Sequence, residues 1–158
     1  MPSPATPVYG TSVAAAATAP DAPLSAAEYQ FVSLVNDYRA SVGLNTLVPD
    51  RRLSDIARER SRESMAAGGT LTHYDANGQL VIVRLLSANY VRYALAGENL
   101  AENNYPWDQS MAVAHAALLA SPEHLYNVVH PAFTEIGIGI AGPTPQGRFY
   151  YTQVFLEP

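Results

Sequence analysis

From residue 25 onward the chain carries two distinct spacings of apolar positions, one helical and one extended. Ser25-Ala26-Ala27-Glu28 forms a capping box, in which the serine hydroxyl and the glutamate carboxylate each take a free amide of the first turn. Phe31, Leu34, Val35 and Tyr38 then recur at helical spacing and Gly43 supplies a stop, which predicts a helix over 26–42. Asn45 to Pro49 reads as a connection. Asp50 reads as the N-cap of a second helix carrying Leu53, Ile56, Ala57 and Met65 and ending at Gly68-Gly69. Its charges Arg58, Glu59, Arg62 and Glu63 read as a solvated face. Tyr74 to Gly78 is turn-like, Leu80 to Leu86 reads as a short helix, and Asn103 to Trp107 as a loop. A further helix spans 108–120, and Ser121-Pro122 breaks it and opens another short one. The period then changes. Glu135 to Ile140 alternates strictly, and Arg148 to Leu156 is rich in aromatic and β-branched residues across a Pro/Gly turn, which predicts a β-hairpin. Helices followed by a hairpin predict an α+β domain, with helices packed on an antiparallel sheet.

Composition narrows the class. The 158 residues suit one domain, and 48% hydrophobic with 15% charged residues is the balance of a globular chain. Nine Lys+Arg against fourteen Asp+Glu give a formal net charge of −5. Such a chain lacks the basic footprint that nucleic acid requires, and offers no broadly basic face to anionic lipid. With no cysteine there is no disulfide, no thiolate metal site and no cysteine nucleophile. No run approaches the roughly 18–20 apolar residues of a membrane-crossing helix. Residues 1–24 differ from the rest, being rich in Ala, Pro, Thr and Ser. They read as a leader or a spacer following a removed export signal, ahead of a domain over 25–158.

Four histidines are candidates for chemistry. His115 lies within a helix of small residues and His130 precedes Pro131, so both read as structural or surface residues. His73 and His124 each fall at an element boundary, where a side chain can reach a cleft. Glu98 lies in Gly97-Glu98-Asn99. From spacing alone these three read as readily as structural polar residues. No HExxH, no tight carboxylate cluster, no Gly-x-Ser-x-Gly elbow and no phosphate loop accompanies them. Most of the ten tyrosines read as half-buried packing, with those around Asn89 to Tyr93 and Tyr105 as candidates for a cleft wall.

The order of short motifs resembles the CAP superfamily (cysteine-rich secretory proteins, antigen 5 and pathogenesis-related 1), and in particular its cysteine-free bacterial SCP-like branch. Leu34 to Arg39 with Gly43-Leu44 resembles the first-helix motif, and Leu53 to Ala57 the second helix. Leu71-Thr72-His73 resembles the Ser/Thr-His step, and Gly97 to Ala101 the Gly-Glu-Asn signature. Ser121-Pro122-Glu123-His124, then Asn127-Val128-Val129, then Phe133 to Gly139, resembles the bacterial Ser-Pro-Gly-His block, and Tyr150 to Phe155 the closing strand. The likeness runs from about residue 28 to 156. It implies a three-layer α-β-α sandwich, with helices around a small, mainly antiparallel sheet and a surface cleft. In that cleft His73 and His124 match the family's two histidines and Glu98 one of its two glutamates, while Ser121 stands where the second glutamate belongs.

On this resemblance the ligand-binding residues are His73, Glu98, His124 and Ser121, and the first three form a candidate set for a divalent cation such as Zn or Mg. Three functions follow. One is a secreted or cell-envelope binding module for a small lipid, sterol or envelope ligand. Another is a metal-dependent hydrolase using the same residues. The third is an interaction domain whose polar cluster braces the fold.

Overall fold

A computed structural model describes residues 24–158. The expected leader lies outside the described residues except for Leu24, which is buried in the core. Five helices are described: α1 (Ala26–Ser41), α2 (Arg51–Ala67), α3 (Val81–Ala88), α4 (Trp107–Ala120) and α5 (Pro122–Val128). The strands are β1 (Val48–Pro49), β2 (Leu95–Asn103), β3 (Glu135–Ala141) and β4 (Phe149–Glu157). The capping box is formed at both of its bonds, Glu28 N–H to Ser25 Oγ at 3.2 Å and Ser25 N–H to Glu28 Oε2 at 2.7 Å. Asp50 caps α2 through Leu53 N–H at 2.9 Å, and Gly68, at φ +63, ends it.

The sheet order is β1-β3-β4-β2, with β1 parallel to β3 and the other two pairings antiparallel. The hairpin is therefore present, but two strands join it that apolar patterning does not reveal. β1 lies inside the expected connection, and β2 carries the Gly-Glu-Asn triplet and extends to Asn103. Both escape because β1 is two residues long and β2 alternates polar residues on both faces.

Alternation along β3 and β4 builds the layers. Ile136, Ile138, Ile140, Tyr151 and Phe155 face α1, α4 and α5, whereas Val154 and Leu156 face α2 and α3. Gly137 and Gly139 face α2 so closely that an added Cβ would lie 2.2 Å from the Leu53 carbonyl carbon and 2.1 Å from that of Ala57. Strand and helix backbones thus touch, and the result is the three-layer α-β-α sandwich. At the outer side of β3, Asp50 N–H bonds Ile136 O at 2.9 Å, and Ile138 N–H is taken by Ser54 Oγ at 3.3 Å. A helix side chain completes the edge that two-residue β1 leaves open.

The expected solvated face of α2 is overturned at Arg58. Its guanidinium is buried and grips Glu28 of α1 through Nε at 2.8 Å and Nη2 at 2.6 Å, with Asp55 at 2.7 Å from Nη1. Burial pulls the Arg58 pKa down, but the hydrogen bonds and charges of Glu28 and Asp55 outweigh it and hold the group above its ordinary value. Glu59, Arg62 and Glu63 are only partly exposed. Periodicity missed this because the counter-charge comes from another layer. The tyrosines also depart from expectation. Tyr150 and Tyr151 are buried and Tyr38 partly so, but Tyr29, Tyr74, Tyr90, Tyr93, Tyr105 and Tyr126 are exposed.

Candidate functional site

The site forms on β2, which lies at one end of the sheet. Consecutive residues of a strand point to opposite faces, and the triplet uses this. Glu98 points toward α2, where Arg60 Nε donates to its Oε2 at 3.0 Å. The other oxygen, Oε1, lies 2.7 Å from His73 Nδ1. Arg60 also donates through Nη2 to the Thr72 carbonyl, immediately before His73, and through Nη1 to Ser64 Oγ at 3.3 Å. One guanidinium thereby fixes both the carboxylate and the loop that carries the imidazole. The Glu98 side chain is 2% exposed and that of His73 40%, so the pair is anchored inside and presents its ring edge to solvent.

Asn99 points to the other face. Its Nδ2 donates to the His124 carbonyl and to Gln153 Oε1, both at 3.0 Å, and its Oδ1 accepts from Asn127 Nδ2 at 2.9 Å. Asn127 Nδ2 also reaches the Glu98 carbonyl at 3.2 Å. Gly97 makes room for this: a Cβ there would lie 2.8 Å from Asn127 Oδ1. The short helix α5, and His124 near its start, is thus tied to β2 through amides. His124 is partly exposed. Its pKa is held below the ordinary value by burial first and by the nearby His73 second, with Glu123 opposing. The two histidines therefore approach each other from opposite layers of the sandwich, around the outer edge of β2.

Ser121 occupies the N-cap position of α5, and its side chain makes no capping hydrogen bond. His130 packs between Tyr126 and Phe133, with ring centroids 5.2 and 4.9 Å away, and its Nδ1 accepts from Ala132 N–H. His115 packs edge-on against Phe31. Among the described residues no group of three or more His, Cys, Asp or Glu is arranged to hold a metal ion. A groove of about 600 Å³ between the end of α2 and the β3–β4 turn, floored by Tyr150 and flanked by Met65, Pro143 and Pro145, contains none of the site residues.

The family model of the cysteine-rich secretory protein (CAP) family matches residues 32–155. The chain belongs to this family. Among solved structures, this CAP chain is similar to an extracellular SCP-domain protein from Bacillus anthracis, at 24% identity and a TM-score of 0.70 over 86% of this chain and 45% of that one. It is also similar to an outer surface protein from Borrelia burgdorferi, at 22% identity and a TM-score of 0.66 over 82% and 90%. A third similar structure is NaASP2 with Zn²⁺, at 11% identity and a TM-score of 0.57 over 80% and 77%. The CAP chain spans less than half the length of the Bacillus protein. Among curated proteins none matches.

Four residues of the CAP site were not singled out from sequence: Arg60, Asn99, Asn127 and Gln153. Asn99 and Asn127 lay inside quoted motifs, so their polarity within apolar surroundings was the available signal. Arg60 had none, because it sits among the charges of α2 that read as solvent-facing.

Proposed function

We propose that this CAP domain is an extracytoplasmic binding module that holds a divalent cation between His73 and His124. The observation that carries the reading is the 2.7 Å contact of His73 Nδ1 with buried Glu98. A carboxylate on one ring nitrogen fixes the ring and directs the other nitrogen outward, which is the usual arrangement behind a metal-ligating histidine. Both Glu98 oxygens are engaged, by His73 and by Arg60. The donor set therefore fits two imidazole ligands with Glu98 as the orienting carboxylate, not as a third ligand. The lowered pKa of His124 supports this, since a neutral ring is the form that binds metal. The zinc in NaASP2 supports the same chemistry by likeness of fold.

A cation held by two histidines retains positions for an oxygen donor from outside. The ligands this reading favours are a small lipid, a sterol or an envelope fragment bearing such an oxygen. Export is supported by the extracellular and outer-surface descriptions of two similar structures. No helix of the described residues is long and apolar enough to cross a membrane.

Zinc titration by calorimetry tests the reading. Wild type is expected to bind one ion per chain, and His73→Ala/His124→Ala to bind none. Glu98→Gln should weaken binding by about 10- to 100-fold. Absence of binding in wild type refutes the cation site.

A further inference from the structure

Arg60 stands behind the His73–His124 site, with its side chain 4% exposed. Ser64 lies one turn further along α2 and its Oγ meets Nη1 at 3.3 Å, so the guanidinium is steadied by its own helix. The rest of the planar fork leaves the helix toward two other elements, Nε to Glu98 Oε2 at 3.0 Å and Nη2 to the Thr72 carbonyl. Glu98 belongs to β2 and Thr72 to the loop that follows α2. One rigid group therefore spans the strand and the loop that meet at the 2.7 Å contact of His73 with Glu98. A guanidinium donates and never accepts, and its donors stand in fixed relation to one another. The separation of Glu98 Oε2 from the Thr72 carbonyl is thus set by a covalent plane.

This arrangement also balances the charge of Glu98 from within the protein. The carboxylate is 2% exposed, and a buried carboxylate without a partner is costly unless a cation neutralises it. The guanidinium does so from 3.0 Å and occupies Oε2. Oε1 faces His73 Nδ1. A carboxylate accepts on both oxygens, which places the imidazole proton on Nδ1 and leaves Nε2 as the free donor atom for a metal.

We infer that Arg60 is the positioning residue that makes this a nitrogen site. It holds the His73 ring with Nε2 free and keeps the Glu98 carboxylate out of the coordination shell. Imidazole nitrogen suits zinc, copper and nickel, whereas carboxylate oxygen suits magnesium, calcium and manganese. The site therefore prefers zinc-like ions to oxygen-seeking ones. The inference rests on the cation reading and adds to it the class of ion and the residue that sets that class.

The test uses the full chain and two readouts. Calorimetric titration with zinc and with manganese gives the ratio of their affinities. Nitrogen NMR spectra of the metal-free protein show which His73 ring nitrogen carries the proton. Wild type is expected to prefer zinc and to carry the proton on Nδ1. In Arg60→Gln, zinc affinity should fall about 10- to 100-fold, as on loss of an outer partner of a ligating histidine. Manganese affinity should hold or rise, because Glu98 Oε2 is released, so the ratio should narrow about tenfold or more. Both protonated forms of the His73 ring should then appear. Equal losses for the two ions, with the proton still on Nδ1, would make Arg60 a prop for the fold alone and overturn the inference. If Arg60→Gln does not fold, Arg60→Lys decides. Its ammonium keeps a positive charge beside Glu98, but a single nitrogen does not bridge Oε2 and the Thr72 carbonyl as the fork does. A narrowed ratio in Arg60→Lys supports the inference, and a wild-type ratio overturns it. A wild type that binds neither ion overturns the cation reading and the inference together. A wild type that prefers manganese overturns the inference and leaves the cation reading standing.

Discussion

Glu28 and Arg58 close a paired hydrogen bond of 2.8 and 2.6 Å between α1 and α2, with both side chains 1% exposed. The pair joins the two helical layers, and the Glu28 oxygen that meets Nη2 also closes the capping box. Removing one member strands a buried charge, so Glu28→Gln is expected to cost about 3–5 kcal/mol in urea denaturation. Replacing both, as Glu28→Leu/Arg58→Met, should recover most of that loss. A single-mutant cost under about 1 kcal/mol would show the pair to be solvated.

Gly139 lies where strand and helix backbones touch. Gly139→Ala would place a methyl 2.1 Å from the Ala57 carbonyl carbon, which neither backbone can yield to cheaply. The variant is expected to lose about 3 kcal/mol or more, or to fail to accumulate as folded protein. Gly147→Ala has open space around its Cβ position and is strained only by its φ of +74, so it should cost about 1 kcal/mol. Equal thermal unfolding midpoints for the two variants would contradict the close approach.

Asn99 is fully buried and serves three partners: His124, Gln153 and Asn127. Asn99→Ala leaves buried amide groups without bonds and is expected to cost about 2–3 kcal/mol. Because the same residue ties α5 to β2, zinc affinity should fall several-fold in the variant even at temperatures where it remains folded. An unchanged affinity would mean that α5 is held by its apolar contacts alone.

Stability should decline as the solution is acidified below neutrality. His124 and His115 are both held below their ordinary value of 6.5, chiefly by burial. Unfolded, each takes up a proton near that value; folded, only at lower pH. Between the two values the unfolded chain binds more protons, so stability is fully present above 6.5 and is lost as pH falls through the folded values. Unfolding midpoints measured from pH 7.5 to 4.5 should therefore drop on the acid side, and His115→Phe should make that drop shallower. A midpoint that rises on acidification would be the opposite sign and would refute the assignment.

What the sequence reveals depends on how local each signal is. The capping box, the Asp50 cap, the Gly68 stop and the β3–β4 hairpin are each written within a few residues and appear where expected. Helix α3 was also recoverable, because Val81, Ile82, Leu85 and Leu86 form one buried side. Strand β2 was not, since Glu98 and Asn99 are polar on both faces and find their partners in α2, α5 and β4. For the same reason the pairing of His73 with Glu98 was legible only through family resemblance. Arg58 reads as a surface charge, and Arg60 goes unnoticed, because nothing in α2 itself announces Glu28 or Glu98.

His73 and His124 come from opposite layers and approach around the edge strand. Whatever joins them fastens those layers like a clasp. Such an occupant binds the folded chain and not the unfolded one, so it adds stability by mass action, about 2.7 kcal/mol at a hundred times its dissociation constant. The resistance of the domain to unfolding would then rise and fall with the ions around it.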